Sequence, residues 1–344
     1  MNRRFSVRMV TEGAMLAAIF VLLALFSYYT PLGTLLILAM TTPTAIMTYR
    51  HGWKAGLLSA VAAELVLLLL LDPVFVISGC TTLQFSGLIL GLGVGKKWSP
   101  WTILAATTAA TLIGFVFLII ISSTLMDYNF MDEMVKLYQE ASQIALNMIE
   151  QFNFPEEQLD LIRQIPTYAE AYFGPLLPML LTLSSAMNAL VNYQILGIVM
   201  KRMQMPMEKL PAFPSWRLPE YGGLIFLLSI LANSAGSHFS ITWLATLAQN
   251  IFQVTYYLIL IQGLAVMVWF MQKLHISKLF SWLLLIFVLF NPYISTGIII
   301  LGFVDFIFDL RKIGPRYRKS AELNQLKDSE KDNEPSKKDP PSLS

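Results

Sequence analysis

Cysteine and histidine are scarce in this chain of 344 residues, and their scarcity excludes several kinds of site. The single cysteine, Cys80, excludes an internal disulfide and any metal site built from CxxC pairs. The three histidines, His51, His238 and His275, lie near the ends of apolar runs, and no HExxH or GxSxG segment occurs. We therefore expect no enzymatic activity, no bound metal and no cofactor.

Charged residues are scarce as well. They make up 13% of the chain, against about 25% in an average soluble domain, whereas hydrophobic residues make up 56%. This composition excludes a water-soluble globule and indicates an integral membrane protein. The formal net charge of +2 gives no indication of nucleic-acid binding.

Long apolar runs predict an all-α, polytopic membrane protein of about ten transmembrane helices, since about 20 apolar residues cross the hydrocarbon core. The last two runs are separated by Asn291 and Pro292, and a proline there favours a turn. We expect a hairpin at this point, and one kinked span is the alternative. The runs form a six-helix N-terminal half (residues 11–29, 32–48, 55–71, 74–95, 101–125 and 175–200) and a four-helix C-terminal half (221–237, 240–272, 278–290 and 294–310).

Basic residues fall almost entirely on one side of this topology. Of the 24 Lys and Arg residues, 22 lie before the first run or in every second connection after it, and only Lys136 and Arg163 lie on the other side. By the positive-inside rule, both termini are cytoplasmic. We expect a multi-pass protein of a bacterial inner membrane. Because the first apolar run continues directly into a second, we also expect the N-terminus to be retained.

The connections divide the chain into parts of different character. An external loop at 126–174 carries nine carboxylates, and apolar residues at helical spacing predict an amphipathic helix over 130–152 of it. This loop belongs to the six-helix domain at 1–200. A Pro-rich cytoplasmic connection at 201–220, a four-helix region at 221–312 and a charged cytoplasmic tail at 313–344, predicted to be disordered, complete the chain.

Glycines at 91, 93 and 95 precede Lys96 and Lys97 in a way that superficially resembles a phosphate-binding loop. Neither Ser nor Thr follows the lysines, so the segment does not match a nucleotide-binding motif. We therefore expect no ATPase within this chain. Glycines at this spacing on a membrane helix favour close packing against a neighbouring helix.

Glu64 lies in the middle of the third predicted span, with no charged residue nearby in the sequence. A carboxyl group at this depth must be protonated, paired or turned toward water. Its functional interpretation is a ligand contact or a proton site. The alternative is a buried acid that hydrogen-bonds to a neighbouring helix.

Amide side chains recur along two other predicted spans. Asn188 and Asn192 are one turn apart on the sixth span, and Gln249 and Gln253 are one turn apart on the eighth. Such amides bind a polar or heteroaromatic solute, or they join helices at about 0.6 kcal/mol per hydrogen bond. These four amides and Glu64 are the candidate substrate-binding residues. Further candidates for the same pocket are Thr81, Thr82 and Gln84.

Small residues at the start of the first span, Gly13, Ala14, Ala17 and Ala18, allow another helix backbone to approach closely. These four residues are the candidate partner-docking face.

Three segments carry a family resemblance: TEGAMLAAIFVLLAL in the first span, LGTLLILAMTTPTAIM in the second and RHGWKAGLLSA at the start of the third. They resemble the substrate-binding S components of energy-coupling factor (ECF) vitamin transporters. The whole chain more closely resembles the YybS-like family of bacterial membrane proteins, which is distantly similar to those S components.

The S-component resemblance covers about residues 5–200. It implies a six-helix substrate-capture unit whose first helix docks, through Ala14 and Ala18, on a transmembrane coupling subunit driven by separate ATPases. The chain departs from S components in its four extra helices, its long acidic loop and its very short first external connection.

Two functions follow as hypotheses. The first is binding or transport of a small solute, energised by partner subunits. The second is a membrane scaffold or assembly protein that holds other membrane proteins without a solute pocket. A connected cavity lined by the candidate polar residues would favour the first, whereas polar residues paired off in separate helix contacts would favour the second.

Overall fold

The computed structural model describes residues 6–31, 33–125, 130–149, 156–219 and 221–313. Over these residues the chain is helical, with turns and short connections and without a β-strand. They form two compact units that divide after Leu210, inside the predicted connection at 201–220. The predicted all-α class is confirmed.

The first unit contains helices that enclose two buried apolar clusters. One cluster includes Leu16, Met47, Leu90 and Leu196, and the other includes Phe20. A π-helical turn at Val76–Cys80 joins the fourth helix to the fifth. The helices are α1 (Val7–Tyr29), α2 (Gly33–His51), α3 (Trp53–Leu67), α4 (Pro73–Phe75), α5 (Thr81–Gly95), α6 (Pro100–Leu125), α7 (Phe130–Ile149) and α8 (Glu156–Arg202).

Local sequence explains where several of these helices begin. Ser6 caps α1, because its hydroxyl oxygen accepts a hydrogen bond of 3.2 Å from the Met9 N–H. Asp72 caps α4 in the same way, accepting a bond of 2.8 Å from the Val74 N–H. Pro73 occupies the first helical position, where the missing N–H costs nothing.

Glycines on α5 bring its backbone against α2. A methyl group at Gly91 would overlap the Ala45 carbonyl oxygen, and one at Gly87 would lie 2.7 Å from the Thr41 carbonyl oxygen. Gly93 likewise faces the side chain of Ile103 on α6 at 2.9 Å. The prediction that this glycine run serves close helix packing is therefore confirmed for Gly91 and Gly93.

The second unit begins at Pro211. Its helices are α9 (Gly222–His238), α10 (Thr242–Lys273), α11 (Lys278–Phe290) and α12 (Pro292–Phe308). An apolar cluster that includes Ile259, Leu264 and Val288 forms its core. Gly263 and Gly302 let α10 and α12 meet backbone to backbone.

A buried ion pair joins the end of α12 to the proline-containing segment that precedes α9. The Arg311 guanidinium donates to Asp305 Oδ2 at 2.8 Å, and both side chains are completely buried. Arg311 also donates to the carbonyl oxygens of Pro214, at 2.5 Å, and Trp216, at 2.9 Å. The same guanidinium therefore neutralises Asp305 and satisfies backbone acceptors.

Gln262 of α10 extends this network. Its Nε2 donates to Asp305 Oδ2 at 3.0 Å, and its Oε1 accepts from the Leu218 N–H at 3.0 Å. Nearby, Arg217 forms an ion pair with Asp309. The polar residues at this end of the second unit therefore bind segments of the same unit to one another.

Length and hydropathy identify membrane spans among the described helices. Four are long and apolar enough to cross a bilayer: Val7–Tyr29, Pro100–Thr124, Gly174–Arg202 and Thr242–Lys273. A fifth is obtained if α11 and α12 count as one broken span. A polytopic helical membrane protein is confirmed, whereas the total of about ten spans stays a prediction.

The break between α11 and α12 occurs at Asn291, as the sequence predicts. The bend between the two helices is 106°, which is sharper than a simple kink and short of an antiparallel hairpin. Asn291 caps α12 by accepting a hydrogen bond of 3.1 Å from the Ile294 N–H. Pro292 takes the first helical position.

The acidic loop between α6 and α8 is more helical than its charge suggests. The predicted amphipathic helix is present as α7, which packs against α8, and the Ser142 hydroxyl donates to the Ile162 carbonyl oxygen at 2.7 Å. The span predicted at 175–200 is confirmed as Gly174–Arg202, and the helix that contains it, α8, begins earlier, at Glu156. The predicted disordered tail lies outside the described residues from 314 onward.

Candidate functional site

Glu64 lies on α3, one turn from the end of this helix, and is half-buried. Its carboxyl group faces α5, close to the side chains of Thr81 and Gln84. In the part of the chain that the structure describes, Glu64 forms no ion pair with Lys, Arg or His. The acid is therefore surrounded by neutral hydrogen-bonding groups and carries no compensating cation.

Gln84 is the buried centre of this group. Its Oε1 accepts a hydrogen bond of 2.9 Å from the Thr44 hydroxyl of α2, and its Nε2 donates to the Ala60 carbonyl oxygen of α3 at 2.9 Å. An amide nitrogen has two N–H groups, so one remains for the Glu64 carboxyl group. We call Thr44, Glu64, Thr81 and Gln84 the Glu64 cluster.

The Glu64 cluster adjoins an irregular stretch of backbone. The π-helical turn Val76–Cys80 ends directly before Thr81, whose hydroxyl donates to the Val76 carbonyl oxygen at 3.4 Å. A π-helical turn widens the helix locally and is frequent at functional sites. Here the π-helical turn adjoins the cluster that contains Glu64, the one acid among the candidate binding residues.

Asn188 and Asn192 contact each other along α8. Asn192 is fully buried, and its Nδ2 donates to the backbone and side-chain oxygens of Asn188 at 2.9 and 3.0 Å. Among the described residues, no donor reaches Asn192 Oδ1. The adjacent Tyr193 donates to the Glu208 carbonyl oxygen at 2.6 Å and so anchors the segment after α8.

Gln249 and Gln253 lie on α10 of the second unit, and both are half-buried. Their neighbour Asn250 is buried, and its Nδ2 donates to the Thr246 carbonyl oxygen at 2.8 Å. Gln262, further along the same helix, belongs to the Arg311–Asp305 network described above. Two of the polar groups on this helix are thus paired within the protein.

Within the first unit, the predicted substrate-binding residues lie on two helices that pack on different neighbours. Within the first unit, α3 packs on α1, α2 and α5, whereas α8 packs on α2, α6 and α7. Glu64 is close to Thr81 and Gln84, which were secondary candidates, and Asn188 and Asn192 lie on α8. The assignment of all five residues to substrate binding stays a prediction.

The first unit also contains buried hydroxyl groups without a hydrogen-bond partner among the described residues. Buried polar groups are normally satisfied, by protein, by ordered water or by a bound molecule. They lie on α2, α5, α6 and α8. The residues are Thr41, Thr42, Ser86, Thr107 and Ser185.

The predicted docking residues on α1 divide into two pairs. Gly13 is buried, and its carbonyl oxygen accepts a hydrogen bond of 2.9 Å from the Ser59 hydroxyl of α3. Ala17 packs on an internal apolar cluster. Ala14 and Ala18 are exposed, so they alone remain available to a partner helix.

One polar group was missed in the sequence. Glu12 of α1 contacts Arg50 and His51, which are the last two residues of α2. Glu12 lies in the first of the segments that carry the family resemblance, and Arg50 and His51 lie in the third. Nothing in the sequence indicates that residues separated by 38 or 39 positions are in contact. The available signal was that Glu12, Arg50 and His51 are all ionisable and all lie near the ends of predicted spans.

Comparisons with known proteins agree with the membrane character of the chain. A model of the family described as "Predicted membrane protein (DUF2232)" matches residues 16–306. A curated relative, "Uncharacterized protein YybS" of Bacillus subtilis (strain 168), is 24% identical over 238 residues, which cover 65% of this chain and 72% of that protein. No solved structure matches. The family match spans most of the chain, and the chain therefore belongs to the DUF2232 family of predicted membrane proteins.

Proposed function

We propose that this membrane protein binds a small polar or cationic solute at the Glu64 cluster. The observation that carries the proposal is a half-buried carboxyl group within an apolar helix, beside neutral donors and without a cationic partner among the described residues. A solute that brings a positive charge or several N–H or O–H donors would complete this site.

The physical basis is the cost of such a carboxyl group. An ionised carboxylate in an apolar medium costs several kcal/mol unless it is paired, and ionisable residues within membrane helices usually serve a ligand or proton pathway. The hydrogen bond from the second N–H of Gln84 lowers this cost only in part.

Transport, where it follows binding, would draw its energy from other proteins. The glycine run on α5 is used for helix packing and does not match a nucleotide-binding motif. The S-component resemblance motivates a partner complex, in which a transmembrane coupling subunit and separate ATPases would supply the energy. This chain would then be the solute-binding component.

The direct test identifies the molecules that accompany the protein. The full chain is purified in mild detergent, and the small molecules that co-purify are identified by mass spectrometry. We expect a solute with the wild type that is depleted about tenfold or more with Glu64→Gln, which keeps the shape but removes the charge. Asp72→Asn is the matched control, because asparagine also caps a helix.

A structural role of Glu64 predicts a different pattern. If the residue only joins helices, Glu64→Gln retains hydrogen bonding and function, whereas Glu64→Leu lowers stability. A binding role predicts a Glu64→Gln variant with wild-type thermal stability that has lost solute-induced stabilisation. Full complementation of a deletion phenotype by Glu64→Gln would refute the proposal.

A second candidate function, membrane assembly, is favoured by the exposed face of α1. Ala14 and Ala18 lie one turn apart on the outer side of α1, where small residues allow close helix approach. Moreover, Gln262 and Asn250 are paired within the protein, as expected for polar groups that join or stabilise helices. The partner in this case is another membrane protein.

A pair of matched double variants tests this second function. Ala14→Leu with Ala18→Leu should abolish co-purification of membrane partners while the monomer stays folded. Met15→Leu with Ile19→Leu is the control, since both residues are exposed, large and on the same helix. Retention of every wild-type partner by the alanine double variant would dismiss this face as a docking surface.

A further inference from the structure

We infer that the first unit has a second binding site, for a phosphate-bearing anion, in a cleft formed by the ends of three helices. The cleft has a volume of about 500 Å³, which is within the usual range of small-molecule sites. α1, α2 and α5 supply its walls. We call it the basic cleft, and it is lined by Arg8, Glu12, Tyr49, Arg50, His51 and Gly95.

The centre of the basic cleft is the Glu12 carboxylate. Its Oε1 accepts from Arg8 Nε at 3.0 Å, and its Oε2 accepts from Arg50 Nη1 at 3.0 Å. His51 Nε2 lies 2.7 Å from the same Oε2. One carboxylate thus holds two guanidinium groups and an imidazole together at the cleft.

The charges of this group do not balance. Two arginines and one glutamate leave one positive charge when His51 is neutral, and two when it is protonated. Each guanidinium has five N–H groups, and Glu12 occupies only one on Arg8 and one on Arg50. The remaining donors are planar forks of the kind that bind phosphate in a bidentate manner.

Gly95 leaves room in the cleft, and two lysines are close to its lining residues in the sequence. Gly95 leaves the space above Tyr49 unfilled, since a methyl group there would sit 3.8 Å from the tyrosine backbone and ring. Lys96 directly follows Gly95 and lies 5.8 Å from the Trp98 ring, and Lys54 follows the end of α2. Neither lysine lines the cleft, so the cations that an entering anion meets include Arg8 of α1 and Arg50 of α2.

The position of the cleft admits two sources of the same chemistry. The N-terminus of α1 and the C-terminus of α2 lie on the side that the positive-inside rule assigns to the cytoplasm. Exposed Trp53, with Lys54 beside it, is typical of a membrane interface. The phosphate is that of an anionic phospholipid or of a free phosphorylated solute.

The test measures anion-dependent thermal stabilisation of the full chain purified in detergent. The probes are inorganic phosphate and dioleoylphosphatidylglycerol, and dioleoylphosphatidylcholine is the zwitterionic control. We expect saturable stabilisation of the wild type, with a half-saturating concentration about tenfold higher in Arg8→Gln and in Arg50→Gln. Lys201→Gln with Arg202→Gln, exposed basic residues that do not line the cleft, should behave as the wild type.

Glu12→Gln separates a binding role from a structural one. Removing the competing carboxylate frees both guanidinium groups, so the anion should bind several-fold more tightly although the ion pairs are lost. A purely structural cluster predicts only a lower melting temperature. Because Arg8 is 78% exposed, Arg8→Gln tests affinity without disturbing the interior.

The outcomes separate the sources and the alternatives. Stabilisation by phosphatidylglycerol but not by inorganic phosphate identifies a lipid head group. Stabilisation by inorganic phosphate that equals stabilisation by phosphatidylglycerol identifies a soluble ligand. The inference is overturned if phosphatidylcholine stabilises as well as phosphatidylglycerol, or if the Lys201 and Arg202 control loses as much affinity as Arg50→Gln. It is also overturned if neither probe stabilises the wild type. Neither Glu64 nor Gln84 lines the cleft, so these results are independent of the proposed solute site.

Discussion

Asp305 and Arg311 form an ion pair that is entirely removed from solvent. Burying two charges costs several kcal/mol per ion, and the cost is recovered only when further hydrogen bonds satisfy both groups. Gln262 does so for Asp305, and the carbonyl oxygens of Pro214 and Trp216 do so for Arg311. Removing one partner should therefore be worse than removing both.

This leads to a prediction for the second unit. Arg311→Met should lower the free energy of unfolding by about 3–5 kcal/mol, because it leaves the Asp305 carboxylate buried and unpaired. Asp305→Leu combined with Arg311→Met should recover part of that loss. The measurement is denaturation of the full chain in detergent, and the prediction fails if the double variant is as unstable as the sum of the two single variants.

The sequence alone identifies a residue when the free-energy cost of burying it does not depend on its neighbours in the fold. Glu64 was singled out because an acid within an apolar run is expensive wherever its neighbours lie. The contacts of Glu12 with Arg50 and His51 could not be found in this way, since they depend on how α1 and α2 align. Gln84 was a secondary candidate, and only the structure identifies it as the residue that links α2, α3 and α5.

At the scale of helices, apolar runs predicted most elements with useful boundaries. The predicted run at 11–29 corresponds to α1 and that at 101–125 to α6. The span predicted at 175–200 corresponds to Gly174–Arg202, and the helix that contains it extends back to Glu156 through residues that are rich in charge. Charge density indicates exposure to water, and an exposed segment is as free to be helical as to be a loop.

The prediction at this scale concerns the bend between α11 and α12. Asn291→Ala should lower the stability of the chain by about 1 kcal/mol, because the Ile294 N–H loses its side-chain acceptor. Asn291→Asp should be nearly neutral, since aspartate caps a helix equally well. Thermal denaturation of both variants provides the measurement. Equal stability of the alanine and aspartate variants would contradict a capping role.

At the scale of the whole molecule, composition determined the class and the Pro-rich connection suggested the division. The separation after Leu210 falls in the segment where prolines interrupt the apolar runs. The number of spans was harder to predict, because several helices, such as α3 and α5, are only 15 residues long. A helix of that length is shorter than the hydrocarbon core, so its membrane position depends on packing rather than on length alone.

Orientation is the last prediction, and it rests on the distribution of 22 of the 24 basic residues. Cys80 is buried and is the chain's single cysteine, so a Cys80→Ser background allows engineered cysteines to be read individually. We expect an impermeant maleimide to label Asn147→Cys on α7 in intact cells. It should label Gln204→Cys, in the exposed segment after α8, only after permeabilisation. The reverse pattern would place α7 in the cytoplasm, where its carboxylates would face the anionic leaflet. It would also reverse the predicted orientation of every membrane span.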